Sequence, residues 1–113
     1  MSDSEKVTDQ FGNRYHRMDF SAVSDSEQRL FDLVRAERRR QDEKWGVQDH
    51  DDFTWGAILG EEVGEVHMAS LERAFGDSER PSPNGAAAGL RKELIEVAAV
   101  ALAWLDCMER NPW

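Results

Sequence analysis

The chain has 113 residues, with 23 acidic and 14 basic side chains, a formal charge of −9 and one cysteine, Cys107. That length suits one domain with a single core that would gain from a partner subunit, and the charge argues against polymeric nucleic acid or an anionic membrane as a partner. A lone cysteine excludes an intrachain disulfide, and no signal peptide or apolar run near the ~20 residues of a membrane span is visible, so a soluble cytoplasmic protein is expected.

Residues 1–23 are mixed and polar, with Gly12 and Asn13 set between Phe11, Tyr15 and Phe20. They read as an N-terminal arm, flexible or packed on a neighbour, in which His16 is solvated. Residues 24–110 read as an all-α domain of three main helices. Ser24 with Glu27 three residues on is a capping box that opens the first. Leu30, Val34, Arg38, Gln41 and Trp45 then share one stripe, with Phe31 and Leu33 beside it. From Glu37 the sequence becomes a charged run to Lys44, the pattern of a solvated helix face, although Gln41 continues the inward stripe. Gly46 ends the helix, since glycine takes the left-handed cap without steric cost. Thr54 is expected to cap a second helix from Trp55 to about Phe75. Gly60 and Gly64 lie inside it, each costing ~1 kcal/mol relative to alanine, which suggests close approach of another helix or a ligand.

Pro81, Pro83 and Asn84 mark a loop between Gly76 and Gly85. A third helix is expected from near Ala86 to about Glu109. Every residue from Val97 to Leu105 is apolar, and a helix apolar on all sides must be covered on all sides. Two other helices in so short a chain cannot do that, so a homo-oligomer, dimer or tetramer, is expected.

The chemistry lies in two acidic stretches. Trp55, Ile58, Leu59, Glu62, Val66, Ala69 and Arg73 recur at helical spacing, which puts Glu62 in the middle of an otherwise apolar stripe, with Glu65 bordering it and Glu61 on the other flank. On the third helix Glu93 leads into Val97, Val100 and Trp104, and Glu96 follows it at i+3. Taking an ionised carboxylate out of water costs several kcal/mol, and four gathered together also repel one another. Something positive must be there. The donors are all oxygen, which points to a hard divalent cation, Mg²⁺ or Mn²⁺. A di-iron centre would need a Glu-x-x-His pair, and Gly64 stands three residues before His67.

Glu61-Glu62-x-Gly64-Glu65 on one helix and Glu93-x-x-Glu96 on a later one resemble the EExxE and ExxD signature of the MazG-like all-α nucleoside triphosphate pyrophosphohydrolases. Arg40-Gln41-Asp42-Glu43-Lys44-Trp45-Gly46, followed by Gln48 and His50, is similar to the region before the acidic helix in small MazG-like proteins. The likeness covers roughly Leu30 to Leu105 and departs at Glu96, where the family commonly has aspartate. The resemblance implies hydrolysis of a nucleoside or deoxynucleoside triphosphate to the monophosphate and pyrophosphate, with Mg²⁺ bridging carboxylates and phosphates. It implies Glu62, Glu65, Glu93 and Glu96 as metal ligands, and Glu61 as an outer residue or the base that orients water. Trp45 then offers an aromatic face to a base and Gln41 a base-edge hydrogen bond. Lys44, Arg40 and Arg91 would reach phosphate, and His50 sugar or phosphate. The alternative from a different class is a non-catalytic helical oligomer that senses nucleotide or metal.

Overall fold

The computed structural model describes residues 6–16, 22–76 and 85–112. The chain divides into two compact units, residues 1–30 and 31–113.

In the first unit, β1 (Lys6–Thr8) and β2 (Arg14–His16) form an antiparallel hairpin in which Val7 faces Tyr15 across the ladder. Asp9 makes the turn. Its carboxylate accepts the backbone N–H groups of Phe11 and Asn13, each at 2.9 Å, and the Asn13 side-chain amide at 3.1 Å. Such local bonds replace ladder bonds at the tip of a hairpin, and they hold the Asp9 carboxyl below its ordinary value, the Asn13 side chain foremost. Gly12 supplies the positive φ of 81° that the turn requires. The arm therefore contains a hairpin that its polar composition did not announce; Phe20 lies outside the described residues.

Helix α1 runs Asp25–Trp45. Ser24 caps it as expected: its hydroxyl accepts the Glu27 N–H at 3.2 Å and lies 3.4 Å from the Glu27 carboxylate. At the far end Gly46, with φ 76°, donates its N–H to the Asp42 carbonyl at 2.8 Å and closes the last turn.

Helix α2 runs Asp52–Phe75, three residues longer at its start than the spacing predicts. The cap is Asp51 rather than Thr54: the Asp51 carboxylate accepts the Thr54 N–H at 2.7 Å. Both residue types can cap, and the ionised one adds favourable charge at the positive end of the helix dipole. Helix α3 runs Gly85–Arg110. The expected loop with Pro81, Pro83 and Asn84 lies outside the described residues.

In the second unit α2 and α3 pack as an antiparallel pair, the start of one beside the end of the other. Trp55 packs with Val100 and Cys107, and Ile58, Leu59, Ala103 and Trp104 close around them. Ala99 is wholly buried. The Trp104 indole N–H donates to Asp52 at 3.0 Å, tying the last turns of α3 to the first of α2. Burying side chains such as Val100 stabilises the pair by roughly 1.5–3 kcal/mol each. The part of α1 in this unit joins it through long side chains rather than an apolar seam: no residue of α1 is fully buried, and Arg38 reaches Asp106 at 3.4 Å. Trp45 is 56% exposed, so it is not a core residue.

Helix α3 is only partly covered. Ala99, Val100 and Cys107 are buried, whereas Leu94, Leu102, Leu105 and Met108 are exposed. Among the described residues, Gly60 and Gly64 have nothing within 4 Å of where a Cβ would sit, so no described helix makes the close approach their presence suggested; at Gly56 the Trp104 ring lies 3.9 Å away. Among the described residues, no helix is long and apolar enough to cross a membrane.

Candidate functional site

Because α2 and α3 run antiparallel, the two i, i+3 carboxylate pairs face each other. Glu62 and Glu65 from α2 and Glu93 and Glu96 from α3 each bring one carboxylate oxygen to a place where all four lie within 4.8 Å of one another. Glu62, Glu93 and Glu96 are half-buried and Glu65 is exposed. These are the four residues that the sequence picks out as ligands.

Charge compensation within this group is thin. Among the described residues, its one ion pair is Lys92 to Glu96 at 3.6 Å, with the lysine side chain 71% exposed and so largely screened by water. One oxygen each of Glu62 and Glu93, Oε2, is buried and accepts no hydrogen bond. The Glu93 carboxyl is consequently pushed up to about 7, first by burial and then by its contacts with Glu96 and Glu65. Glu62 is raised by burial, then by the charges of Glu65 and Glu96. Both shifts have the same origin: carboxylates gathered partly away from water, with little positive charge beside them.

A hard divalent cation fits this donor set. It binds carboxylate oxygens at about 2.0–2.6 Å, so four oxygens gathered within 4.8 Å need little rearrangement to share one. The orphaned oxygens of Glu62 and Glu93 supply lone pairs that no described residue uses.

Beside the carboxylates lies a cavity of about 360 Å³, within the size range of small-molecule sites. Glu62 and Glu96 form one end of it, Ile58, Val100 and Ala103 part of its wall, and Gln41 and Trp45 line it from α1. Arg40, also expected to meet substrate, lines the same cavity. Lys44 instead lies over the Trp45 ring, its ammonium 4.5 Å from the centroid. His50 is turned to its own surroundings, with Nε2 2.9 Å from the Gln48 amide oxygen and the ring edge-on to Trp55 at 4.9 Å. Arg91 lines a separate shallow cleft with Arg40, Lys92 and Ile95. Glu61 is exposed on the flank of α2, outside the four-carboxylate group.

Glu37 is a member of the site that the sequence hid. It sits in the charged run that reads as a solvated face, yet its side chain is only 13% exposed. Arg40 holds it through two parallel bonds of 2.7 Å and Gln41 donates to it at 3.1 Å. The Arg40 bonds above all keep its carboxyl below the ordinary value, so it stays charged and matched. Its charge nevertheless contributes to raising Glu62. The i, i+3 and i+4 spacing of Arg40 and Gln41 from Glu37 is the only sequence signal for this arrangement.

No family model matches the chain, and no match is found among curated proteins or solved structures.

Proposed function

We propose that the protein is a Mg²⁺-dependent nucleoside triphosphate pyrophosphohydrolase, converting a nucleoside or deoxynucleoside triphosphate to the monophosphate and pyrophosphate. The observation that carries this is the convergence of four poorly compensated glutamates at the end of a cavity large enough for a nucleoside. The acidic pattern that resembles the MazG-like proteins is the same pattern that converges. Housekeeping of the nucleotide pool in the cytoplasm would suit such an activity.

Glu62, Glu65, Glu93 and Glu96 would hold Mg²⁺, with Mn²⁺ as a substitute. The ion, when bound, neutralises phosphate charge and lowers the pKa of a coordinated water. The chain's own residues then divide the work. The four carboxylates fix the triphosphate end, and Glu61, on the flank of α2, is the candidate to orient the attacking water. Gln41 and Trp45 position the nucleoside from α1. Overall, water adds across the α–β phosphoanhydride, whose P–O bond breaks to leave two acidic products.

The exposed Leu94, Leu102, Leu105 and Met108 of α3, with Phe31 and Leu33 of α1, support assembly into a homodimer or homotetramer. Multi-angle scattering of the purified protein should give a mass of two or four chains.

Pyrophosphate release from a panel of canonical and modified nucleotides, with Mg²⁺ and then with a chelator, tests the activity. Release that vanishes with chelator supports it; no release from any nucleotide, with no effect of Mg²⁺ on the melting temperature, sinks it. Glu96, which stands where the resembling family has aspartate and is engaged by Lys92, favours a second reading as a nucleotide or metal sensor. Nucleotide binding without turnover would select that reading.

A further inference from the structure

Glu37 stands on α1 with its side chain only 13% exposed, while Arg40, which binds it, is 52% exposed. A surface ion pair contributes little and ordinarily leaves both partners in water. Here the carboxylate is turned inward, close enough to the acidic group for its charge to help raise Glu62. A further negative charge beside crowded carboxylates works against the metal-free fold. Its use lies in what it holds.

What it holds is Gln41. Glu37 Oε2 accepts the Gln41 side-chain N–H at 3.1 Å, and the Arg40 guanidinium takes both carboxylate oxygens, Nε to Oε1 and Nη2 to Oε2, each at 2.7 Å. That fork keeps the carboxylate ionised, and an ionised carboxylate only accepts hydrogen bonds. The Gln41 amide therefore has one permitted orientation, nitrogen toward Glu37. One N–H is spent there, which leaves the second N–H and the amide oxygen for other partners. Gln41 lines the cavity and is half-buried, so part of its surface stays accessible. A free glutamine amide suits a donor or an acceptor equally well, because turning over exchanges its nitrogen and oxygen. A clamped amide does not.

We infer that Glu37 is a positioning residue that clamps the Gln41 amide, so that Gln41 reads the nucleobase with fixed polarity and sets which bases the enzyme prefers. The inference rests on the proposed nucleotide substrate. An amide already held in place loses little freedom when the matching base edge arrives. A base with donor and acceptor exchanged sets like against like and leaves polar groups unmet, and discrimination of that kind is far sharper than discrimination by size. Arg40 acts one step further back, by holding Glu37. In this role Glu37 is no metal ligand, in keeping with its place outside the four glutamates whose oxygens converge.

Pyrophosphate release in Mg²⁺ from nucleoside triphosphates with different bases tests this in wild type, Gln41→Ala, Glu37→Gln and the double variant. Wild type should favour its best base over its poorest by on the order of tenfold or more in kcat/KM. Gln41→Ala should shrink that preference to within about threefold. Glu37→Gln, whose own amide can meet Gln41 either way round, should shrink it likewise, by raising KM for the best base with kcat nearly unchanged. The double variant should behave as Gln41→Ala alone, because Glu37 acts only through Gln41. The Mg²⁺-induced rise in melting temperature should survive in Glu37→Gln. Absence of a base preference in wild type, a preference untouched by Glu37→Gln, losses that add in the double variant, or loss of the Mg²⁺-induced rise each overturns the inference and leaves the pyrophosphohydrolase standing. If Glu37→Gln does not fold, NMR of the wild type decides: the two Gln41 amide protons, assigned by their absence in Gln41→Ala, should differ in solvent exchange, the one bonded to Glu37 being the slower, and protons that exchange alike overturn the inference. Failure of every nucleotide to release pyrophosphate overturns the hydrolase reading and this inference with it.

Discussion

Two regions of the α2–α3 pair treat acidic side chains in opposite ways. Where the end of α3 meets the loop before α2, Asp49 and Asp106 are each met by Arg110 at 2.9 Å, Arg38 reaches Asp106 as well, and the Asn111 amide bonds Asp49 at 3.0 Å. The Arg110 and Asn111 side chains hold the Asp49 carboxyl below its ordinary value. Further along the same two helices, four glutamates bring carboxylate oxygens within 4.8 Å of one another, one of them is paired with a solvent-exposed lysine, and the Glu93 and Glu62 carboxyls rise. The first arrangement is complete as the chain folds. The second is consistent with a site whose missing charge comes from outside, and mismatched groups in a cleft are a recognised mark of function.

Replacing members of the two groups should separate them most clearly. Glu62→Gln and Glu93→Gln should each lower pyrophosphate release by about 100-fold or more, since a lost ligand removes several kcal/mol of charge stabilisation. Each should leave the metal-free melting temperature unchanged or higher, because a repelling charge has gone. Retained turnover in Glu62→Gln would remove that residue from the metal site.

Next in size is the effect of the metal on stability. Mg²⁺ at a hundredfold excess over its dissociation constant should add about 2.7 kcal/mol to folding, visible as a rise of several degrees in the melting curve. Glu93→Gln should abolish most of that rise. A melting temperature indifferent to Mg²⁺ and Mn²⁺ would make the carboxylate group a solvated cluster like any other.

The pH dependence comes third. Glu93 titrates at about 7 in the folded chain against an ordinary value of 4.5, so between those values the folded state holds the extra proton. Stability of the metal-free protein should therefore fall as pH rises from about 4.5 to about 7 and level off above, with Glu62 acting in the same direction. Mg²⁺ affinity should climb over the same window, because the ligands must be deprotonated. Glu37, Asp49 and Asp51 are shifted downward, so their stabilising contribution is lost only when the solution becomes acid enough to protonate them, below the ordinary carboxylate range. Thermal melts from pH 4.5 to 8 on wild type and Glu93→Gln would show the slope and its loss. The smallest change belongs to the matched end: Asp49→Asn should lower the melting temperature slightly and leave the Mg²⁺-induced rise intact.

Much of this contrast was legible beforehand, and the rest was hidden for definable reasons. Helix period alone placed Glu62 on an inward stripe and paired it with Glu65, and Glu93 with Glu96, because residues three apart share a face whatever the fold. Ser24 with Glu27 and the glycine at 46 were equally local signals, and both hold. The Asp51 cap was missed because three residues able to cap, Asp51, Asp52 and Thr54, stand within four positions and only the backbone decides among them. Glu37 was concealed by neighbours of both signs, where composition cannot tell a paired carboxylate from a hydrated one. The hairpin around Asp9 rests on side-chain bonds across four residues, too short a span for any periodicity to register.

Cys107 is 3% exposed, with its thiol directed at the His50 carbonyl 3.7 Å away and the Asn111 amide also 3.7 Å from its sulfur. A thiol reagent can reach the sulfur only when the segment around His50 lifts away from α3, so the rate of labelling is a clock for that opening. As the only cysteine of the chain, it offers a stopwatch without any engineering: nucleotide that fills the cavity should slow the clock, and nucleotide held at the carboxylates alone should leave it running at the same pace.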